Sequence, residues 1–309
     1  MAVSPYPIAP DLTAISVVYK NASYIADMVL PRTPVAKQNF TFTQFPLDAM
    51  FNEYDTTVAR RGKTNEVTLD GVEVGDFTTD QALEAGVPQA DVDNSDERYR
   101  PLDMQTMQLT ELVALGRERR VSNIVFNAAS YAASLTTTLS GTGQYSDYAN
   151  SDPVVGINLM LDAPLIRSNK LVFGQAAWTT FRSHPKVVQA CKGTAQTGGI
   201  ASRQQVAELF EVEEVLVGAA RANNAKRGQL PAMARLWGKH IAGIYIPKVL
   251  TGQGEVAFGA SFQFGERLVM SGFNKDIGMR GGQMVRVGES IRERVIAQQA
   301  GFFIQNAVA

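Results

Sequence analysis

The chain has 309 residues, 45% of them hydrophobic and 19% charged, with 29 basic against 30 acidic side chains and a net charge of −1. At about 100–200 residues per domain, this length supports about two domains and a core that needs no disulfide or metal to hold it. The single cysteine, Cys191, excludes an internal disulfide; no run approaches the roughly 18 apolar residues of a membrane span, and MAVSPYPIAP has neither the basic nor the apolar region of a secretion signal. A neutral total speaks against a dedicated nucleic-acid binder, yet it hides an asymmetry. Residues 51–103 hold 13 acids and 5 bases, whereas residues 141–250 hold 12 bases and 7 acids. An acidic arm and a basic domain suit either two solvated surfaces or copies of the chain that meet acid to base.

Residues 1–35 carry Pro5, Pro7, Pro10, Pro31 and Pro34 among apolar positions without a sustained helical period, which predicts an extended arm with no place in a core. From Lys37 to Phe45 apolar and polar residues alternate, and they do so again from Glu66 to Val74, with the turn-rich Arg60-Arg61-Gly62-Lys63-Thr64 between. This predicts a long hairpin, too acidic and too poor in large apolar residues to bury itself, that projects and rests on something else. A helix is predicted from about Pro101 to about Ala133, because Met104, Met107, Leu112, Leu115, Val121, Ile124, Val125, Ala128 and Ala132 recur at spacings near three and four. Asp103 is its candidate N-cap, and the rod spans about 45 Å. Gly141 to Asp152 is a polar linker. Beyond it, helical stretches at 152–162, 176–190 and 203–209 alternate with strand-like ones at 170–173, 214–218 and 233–246, a mixed α/β pattern. Strands at 256–264, 268–272, 284–287 and 292–296 and an apolar run from Gly301 to Ile304 close the chain, which contains no internal repeat.

Catalytic and metal signatures need residues this chain hardly has. Its only histidines, His184 and His240, lie outside any HExxH pattern, and Cys191 stands alone. His184, in Ser-His-Pro-Lys, reads as a helix-end or turn residue, and His240 as a strand residue. Gly62-Lys63-Thr64 resembles the end of a phosphate-binding loop, but its leading glycine is replaced by Thr57. Asp91, Asp93 and Ser95 start with calcium-loop spacing, but the turn glycine is Asp96 and the twelfth position Leu102. There is no GxSxG, and no GxGxxG follows a strand. The expectation is a protein without catalytic residues, metal or cofactor, whose Trp178 and Phe181 are core.

The order of arm, acidic hairpin, rod-like helix, α/β unit and strand-rich return resembles the major capsid proteins of tailed phages with the Hong Kong 97-type fold, an α+β architecture. The strings that carry the likeness are TFTQFPLDAMFNEYDTTVARRGKTNEVTLDGVEVG from Thr41, RPLDMQTMQLTELVALGRERRVSNIVFNAASY from Arg100, SDPVVGINLMLD from Ser151 and LVFGQAAWTTFRSHPKVV from Leu171. They continue with LFEVEEVLVGAARANNAKRGQ from Leu209, RLWGKHIAGIYI from Arg235 and RVIAQQAGFFIQNAV from Arg294. The resemblance implies an N-terminal arm (1–36), an E-loop (37–90), a P-domain with a spine helix (91–150) and an A-domain (151–250). P-domain return strands (251–293) and a C-terminal strand that joins the A-domain (294–309) complete it.

By the same resemblance the chain is a shell protein and its sites are interfaces. The E-loop of this family lies over a neighbouring subunit, which singles out Arg60, Arg61 and Lys63 at the tip and Asp70, Glu73 and Asp76 on the descending strand as contacts. Some members cross-link a lysine of this loop to a neighbour's asparagine, and Lys63 is the only lysine at the tip. The implied partners are the chain itself in pentameric and hexameric capsomers, scaffold and portal proteins, a decoration protein and, without sequence preference, packaged double-stranded DNA; no membrane is implied. Its implied location is the virion capsid, assembled in the host cytoplasm. The arm starts almost at once, so a scaffold is expected to be a separate protein or a segment removed earlier. An encapsulin-type compartment that packages a cargo protein and a cytoplasmic α/β enzyme are the alternatives.

Overall fold

The computed structural model describes residues 7–18, 23–44, 53–67, 71–96, 99–193, 198–226, 228–248 and 256–309. The N-terminal segment departs from the extended, core-free arm expected of it. It forms two short helices, α1 (Pro10–Val18) and α2 (Ala26–Val29), followed by the strand β1 (Arg32–Val35). Ile25, Ala26, Val29 and Leu30 are buried in one cluster with Val121 and Val125, and Leu12 packs with Leu109. The apolar residues of this segment lack a helical period of their own because a long helix laid across them supplies the other half of the contact.

The expected hairpin is formed by β2 (Asn39–Gln44) and β3 (Val72–Phe77), paired antiparallel from Asn39 opposite Phe77 to Gln44 opposite Val72. Its second strand begins later than the alternation suggested. Glu66 and Val67 lie in the exposed segment 53–67, which has no strand or helix. The chain then runs through β4 (Thr79–Pro88) and a short helix, α3 (Gln89–Asp93), so Asp91 and Asp93 are helical rather than part of an ion-binding loop.

The long helix, α4, runs from Pro101 to Val125, about 37 Å at the α-helical rise. Arg100 rather than Asp103 is its N-cap; Pro101 opens it and Asp103 sits in the first turn, where a carboxylate favours the positive end of the helix. It stops eight residues short of the expected end because Tyr131 folds back: its hydroxyl donates to the Val125 carbonyl at 2.7 Å, and its ring stacks on Phe258 and Phe303. Ala128 and Ala132, in register with the helix by spacing, lie in and before short 3-10 turns instead.

Two sheets organise the rest. In the first, the strand segments expected separately merge into two long strands, β11 (Gly259–Asn274) and β12 (Gly282–Val295), and the order is β1-β11-β12-β4. β1 is an edge strand, parallel to β11, and holds Pro34. The second sheet has the order β5 (Thr136–Thr138), β13 (Gly301–Gln305), β10 (Ile241–Ile244), β6 (Lys170–Gly174), β7 (Glu214–Gly218), so the C-terminal strand is inserted into it. Its near-continuous apolar strands are covered on both faces. Leu171, Phe173, Val215, Val217 and Phe302 face a cluster with Ile157, Trp178, Phe181 and Phe210. Val172, Leu216, Ala242 and Phe303 face the N-terminal segment and the end of α4.

The helices on the first of those faces are α5 (Pro153–Asp162), α6 (Gln175–Phe181), α7 (Pro185–Lys192) and α8 (Arg203–Leu209). The single helix expected over 176–190 is two, because Pro185 starts a new one. A small hairpin of β8 (Arg221–Asn223) and β9 (Met233–Arg235) follows β7. No helix among the described residues is long and apolar enough to cross a membrane.

Candidate assembly surfaces

The β2–β3 hairpin is a ribbon clamped at its base, with the segment 53–67 between its strands in solvent. Phe40 and Phe42 lie against Phe262 of β11, with ring centroids 4.5 and 5.4 Å away. Asp76 accepts from Arg294 and, at 3.3 Å, from Arg292, both on β12. Burial pushes the Asp76 carboxyl up, but the backbone N–H of Phe77 and the two guanidiniums outweigh this and hold it below the usual carboxylate range. Its side chain is only 4% exposed. Asp76, expected to face a neighbour, therefore anchors the hairpin to its own subunit.

The other residues singled out divide differently. Arg60 and Arg61 form a turn closed by Gly62 N–H to the Ala59 carbonyl at 2.7 Å and are exposed, as are Lys63 and, on β3, Glu73. Asp70 lies outside the described residues. The charge asymmetry is partly spent inside the chain: Glu84 binds Arg286 at 2.6 Å, while Lys186 binds Asp152 and Lys170 binds Glu214.

Where the hairpin is open, the junction of N-terminal segment, α4 and the first sheet is closed. Glu118 of α4 is buried and accepts from the backbone N–H groups of Ile25 and Ala26, at 3.0 and 2.8 Å, and from the Trp237 indole at 2.6 Å. One carboxylate thus ties together three stretches remote in sequence. Burial pushes it up, and those hydrogen bonds with the nearby Arg117 charge only partly pull it back. The neighbouring Arg117, also buried, binds Asp27, the Leu30 carbonyl and Ser261. Around it Arg32 bridges Asp27 and Glu289, Arg267 reaches Glu289, and Arg120 binds Glu293 at 2.9 Å. Burial pushes Asp27 and Glu289 up, yet the surrounding arginines prevail and hold both below their ordinary values. Sequence reasoning missed this network; its one visible trace is Arg117-Glu118-Arg119-Arg120, a charge run that would ordinarily be a solvated face.

The histidines are structural. His184 is the N-cap of α7, its Nδ1 accepting from Lys186 N–H, and its Nε2 meets Ser151 Oγ at 3.1 Å. His240 accepts from Asn306 N–H at 2.9 Å and packs on Phe126 and Phe303. Burial, with Lys186 and Lys239 nearby, lowers the pKa of each. Among the described residues no group of three or more His, Cys, Asp or Glu is placed to hold a metal ion. Trp178 is core, 3% exposed.

No family model matches the chain. A curated relative, the major capsid protein of Pseudomonas phage JBD67, is 44% identical over 309 residues and covers all of both chains. Among solved structures, a phage-related protein of Bordetella bronchiseptica superposes with a TM-score of 0.75 at 22% identity over 98% of each chain. The capsid structure of cyanophage P-SCSP1u superposes with a TM-score of 0.61 at 7% identity over 99% of this chain and 90% of that one.

Proposed function

Because the chain belongs to the phage major capsid proteins, a family of structural proteins and not enzymes, we propose that its copies close into an icosahedral shell around the double-stranded DNA of a tailed phage. The α+β fold is of the Hong Kong 97 type, shared with capsid structures. The family favours a viral shell over the cargo compartment and the enzyme. Its place is the virion capsid; assembly in the host cytoplasm, pentameric and hexameric capsomers, scaffold, portal and decoration proteins are the further parts of this reading. DNA contact is weak, indifferent to sequence and salt-sensitive, in keeping with a net charge of −1.

The observation that carries the reading is the contrast within the E-loop. Its base is fixed by Asp76 and two phenylalanines, while residues 53–67 are exposed without exception. A loop held so firmly at its root, with no core of its own, is built to reach another subunit. We assign the arm to 1–36, the E-loop to 37–90, the P-domain to 91–150 and 251–293, and the A-domain to 151–250 with the strand at 294–309. Arg60, Arg61 and Lys63 are the neighbour-facing residues of this assignment, with Glu73 on the ribbon edge. Electron microscopy of the purified chain, alone and with its scaffold, tests it: closed shells tens of nanometres across are expected, and a monomer under every salt and scaffold condition would refute it.

A further inference from the structure

From Val215 to Gly254 the chain holds six lysines and arginines and no acidic residue, although 30 of its 309 residues are acids. Of the six, Lys248 binds Glu213 at 3.6 Å, and Arg227 lies outside the described residues. Arg221, Lys226, Arg235 and Lys239 form no ion pair among the described residues, and Glu214, the nearest acid before them, is taken by Lys170.

The β8–β9 hairpin concentrates this charge. Its ladder sets Arg221 directly opposite Arg235, Ala222 opposite Ala234 and Asn223 opposite Met233. Residues two apart on a strand share a face, so both arginines stand with Asn223 and Met233 on the exposed side, while Ala222 is buried on the other. Like charges directly opposite each other destabilise a strand pair, so folding alone does not call for this one. The surroundings extend the face. Lys226 is exposed in the turn, and Arg119 of α4, also exposed, donates to Asn224 at 2.9 Å and adds its charge beside the hairpin. An open recess of about 320 Å³ adjoins it, lined by Ser122, Asn123, Asn127 and His240, with Asn123 one helical turn beyond Arg119 on the same face of α4.

The complement of such a face is anionic. The exposed segment 53–67 of a second copy does not qualify, because its acids Glu53, Asp55 and Glu66 are matched by Arg60, Arg61 and Lys63, while Asp76 and Glu84 are already bound within the chain. A phosphodiester backbone does: duplex DNA presents one negative charge per about 1.7 Å of its axis, and arginine forks and side-chain amides donate readily to its phosphates. We propose that Arg119, Arg221, Lys226 and Arg235 form a phosphate-binding face for duplex DNA. This rests on the reading of the chain as a shell around such DNA, and it gives the contact between shell and contents a place, with the β8–β9 hairpin turned inward. None of the four is an aromatic platform for bases, so the contact follows the backbone and is indifferent to sequence.

Fluorescence anisotropy of a labelled duplex of arbitrary sequence, titrated with the unassembled full-length chain at several salt concentrations, tests the face. Four phosphate contacts give a slope of about −3.6 for the logarithm of affinity against that of salt. R221Q/R235Q and R119Q/K226Q are each expected to make it shallower by about two, and R60Q/R61Q, which removes the same charge elsewhere, to leave it unchanged. R221Q/R235Q is expected to melt no lower than the wild type, since it relieves a like-charge pair; if either variant folds poorly, the other decides. No binding by the wild type at low salt, slopes unchanged in both variants, or an equal change in R60Q/R61Q overturns the face. So does an R221E/R235E chain that binds DNA like the wild type yet forms no shells, which makes the hairpin a contact between subunits. These outcomes leave the shell reading standing, because that reading falls only if electron micrographs of the wild-type chain show no closed particles.

Discussion

The junction around Glu118 and the segment 53–67 between β2 and β3 are both rich in charge, and they use it in opposite ways. At the junction, Arg32, Arg117, Arg120 and Arg267 are matched within the chain by Asp27, Glu289 and Glu293, most of them away from water. At the tip, Arg60 and Arg61 stand in solvent without an ion pair among the described residues. Buried charge without its partner is costly, so the junction has one permitted arrangement, whereas the tip can change its charge at little cost to the fold. The difference separates what makes the subunit from what, in the proposed reading, joins subunits.

Breaking the junction gives the largest effect on folding. Glu118→Ala leaves two backbone N–H groups and an indole N–H without their acceptor, and since each such buried donor costs about 1–3 kcal/mol, a loss of at least about 3 kcal/mol is expected in urea unfolding of the subunit. Glu118→Gln, which keeps the volume and one acceptor oxygen, is expected to lose less. Next comes the close approach of β7 to the Trp237 ring, also a part of the junction. A Cβ on Gly218 would lie 2.1 Å from Trp237 Cγ, so Gly218→Ala is expected to cost about 1–3 kcal/mol by overpacking, measured in the same way.

Acid titrates a third, smaller contribution. His184 and His240 have pKa values below 6.5 in the fold. A depressed value favours the neutral ring in the native state, so their contribution is complete above about pH 6.5 and is lost as the pH falls below it. Thermal melts are expected to move down between about pH 7 and pH 5, and less so in His184→Asn/His240→Asn. Asp27, Asp76 and Glu289, also depressed, follow only below their ordinary values near 4. The smallest folding effect belongs to the tip. Replacing residues 53–67 by a short turn should change subunit stability by less than about 1 kcal/mol, because an exposed loop closes at small entropic cost. Micrographs of that variant are expected to show no robust shells, and a strongly destabilised monomer would place the segment in the core.

This ordering also marks what the sequence could reveal. β7 and α8 were legible to the residue because each is short, periodic and bounded by its own turn or cap: Ser202 and Gln205 form a reciprocal capping box at the start of α8. The N-terminal segment was not legible, since Ile25, Val29 and Leu30 acquire their burial from α4 and the second sheet, a relation no local window contains. For the same reason Asp76 looked like one more surface acid. Its partners, Arg292 and Arg294, lie more than 200 positions away. The residues of the tip were visible as a turn, but the bulge in β11 between Phe264 and Leu268 arises from strand pairing, where a lone Gly265 gives only a weak hint.

The sheet edges carry a consequence of their own. A molecule that must pack side by side with many copies of itself is exposed to the commonest accident of β-proteins, strands that zip together edge to edge into fibres. Here Pro34 removes a donor from β1, β5 is three residues long, and β4 carries Asp80 and Glu84 and ends at Pro88. Each is a recognised way to blunt a strand edge. Growth through the backbone is thereby discouraged, and crowded subunits are left to find one another through side chains, whose geometry yields a closed surface and not an endless filament.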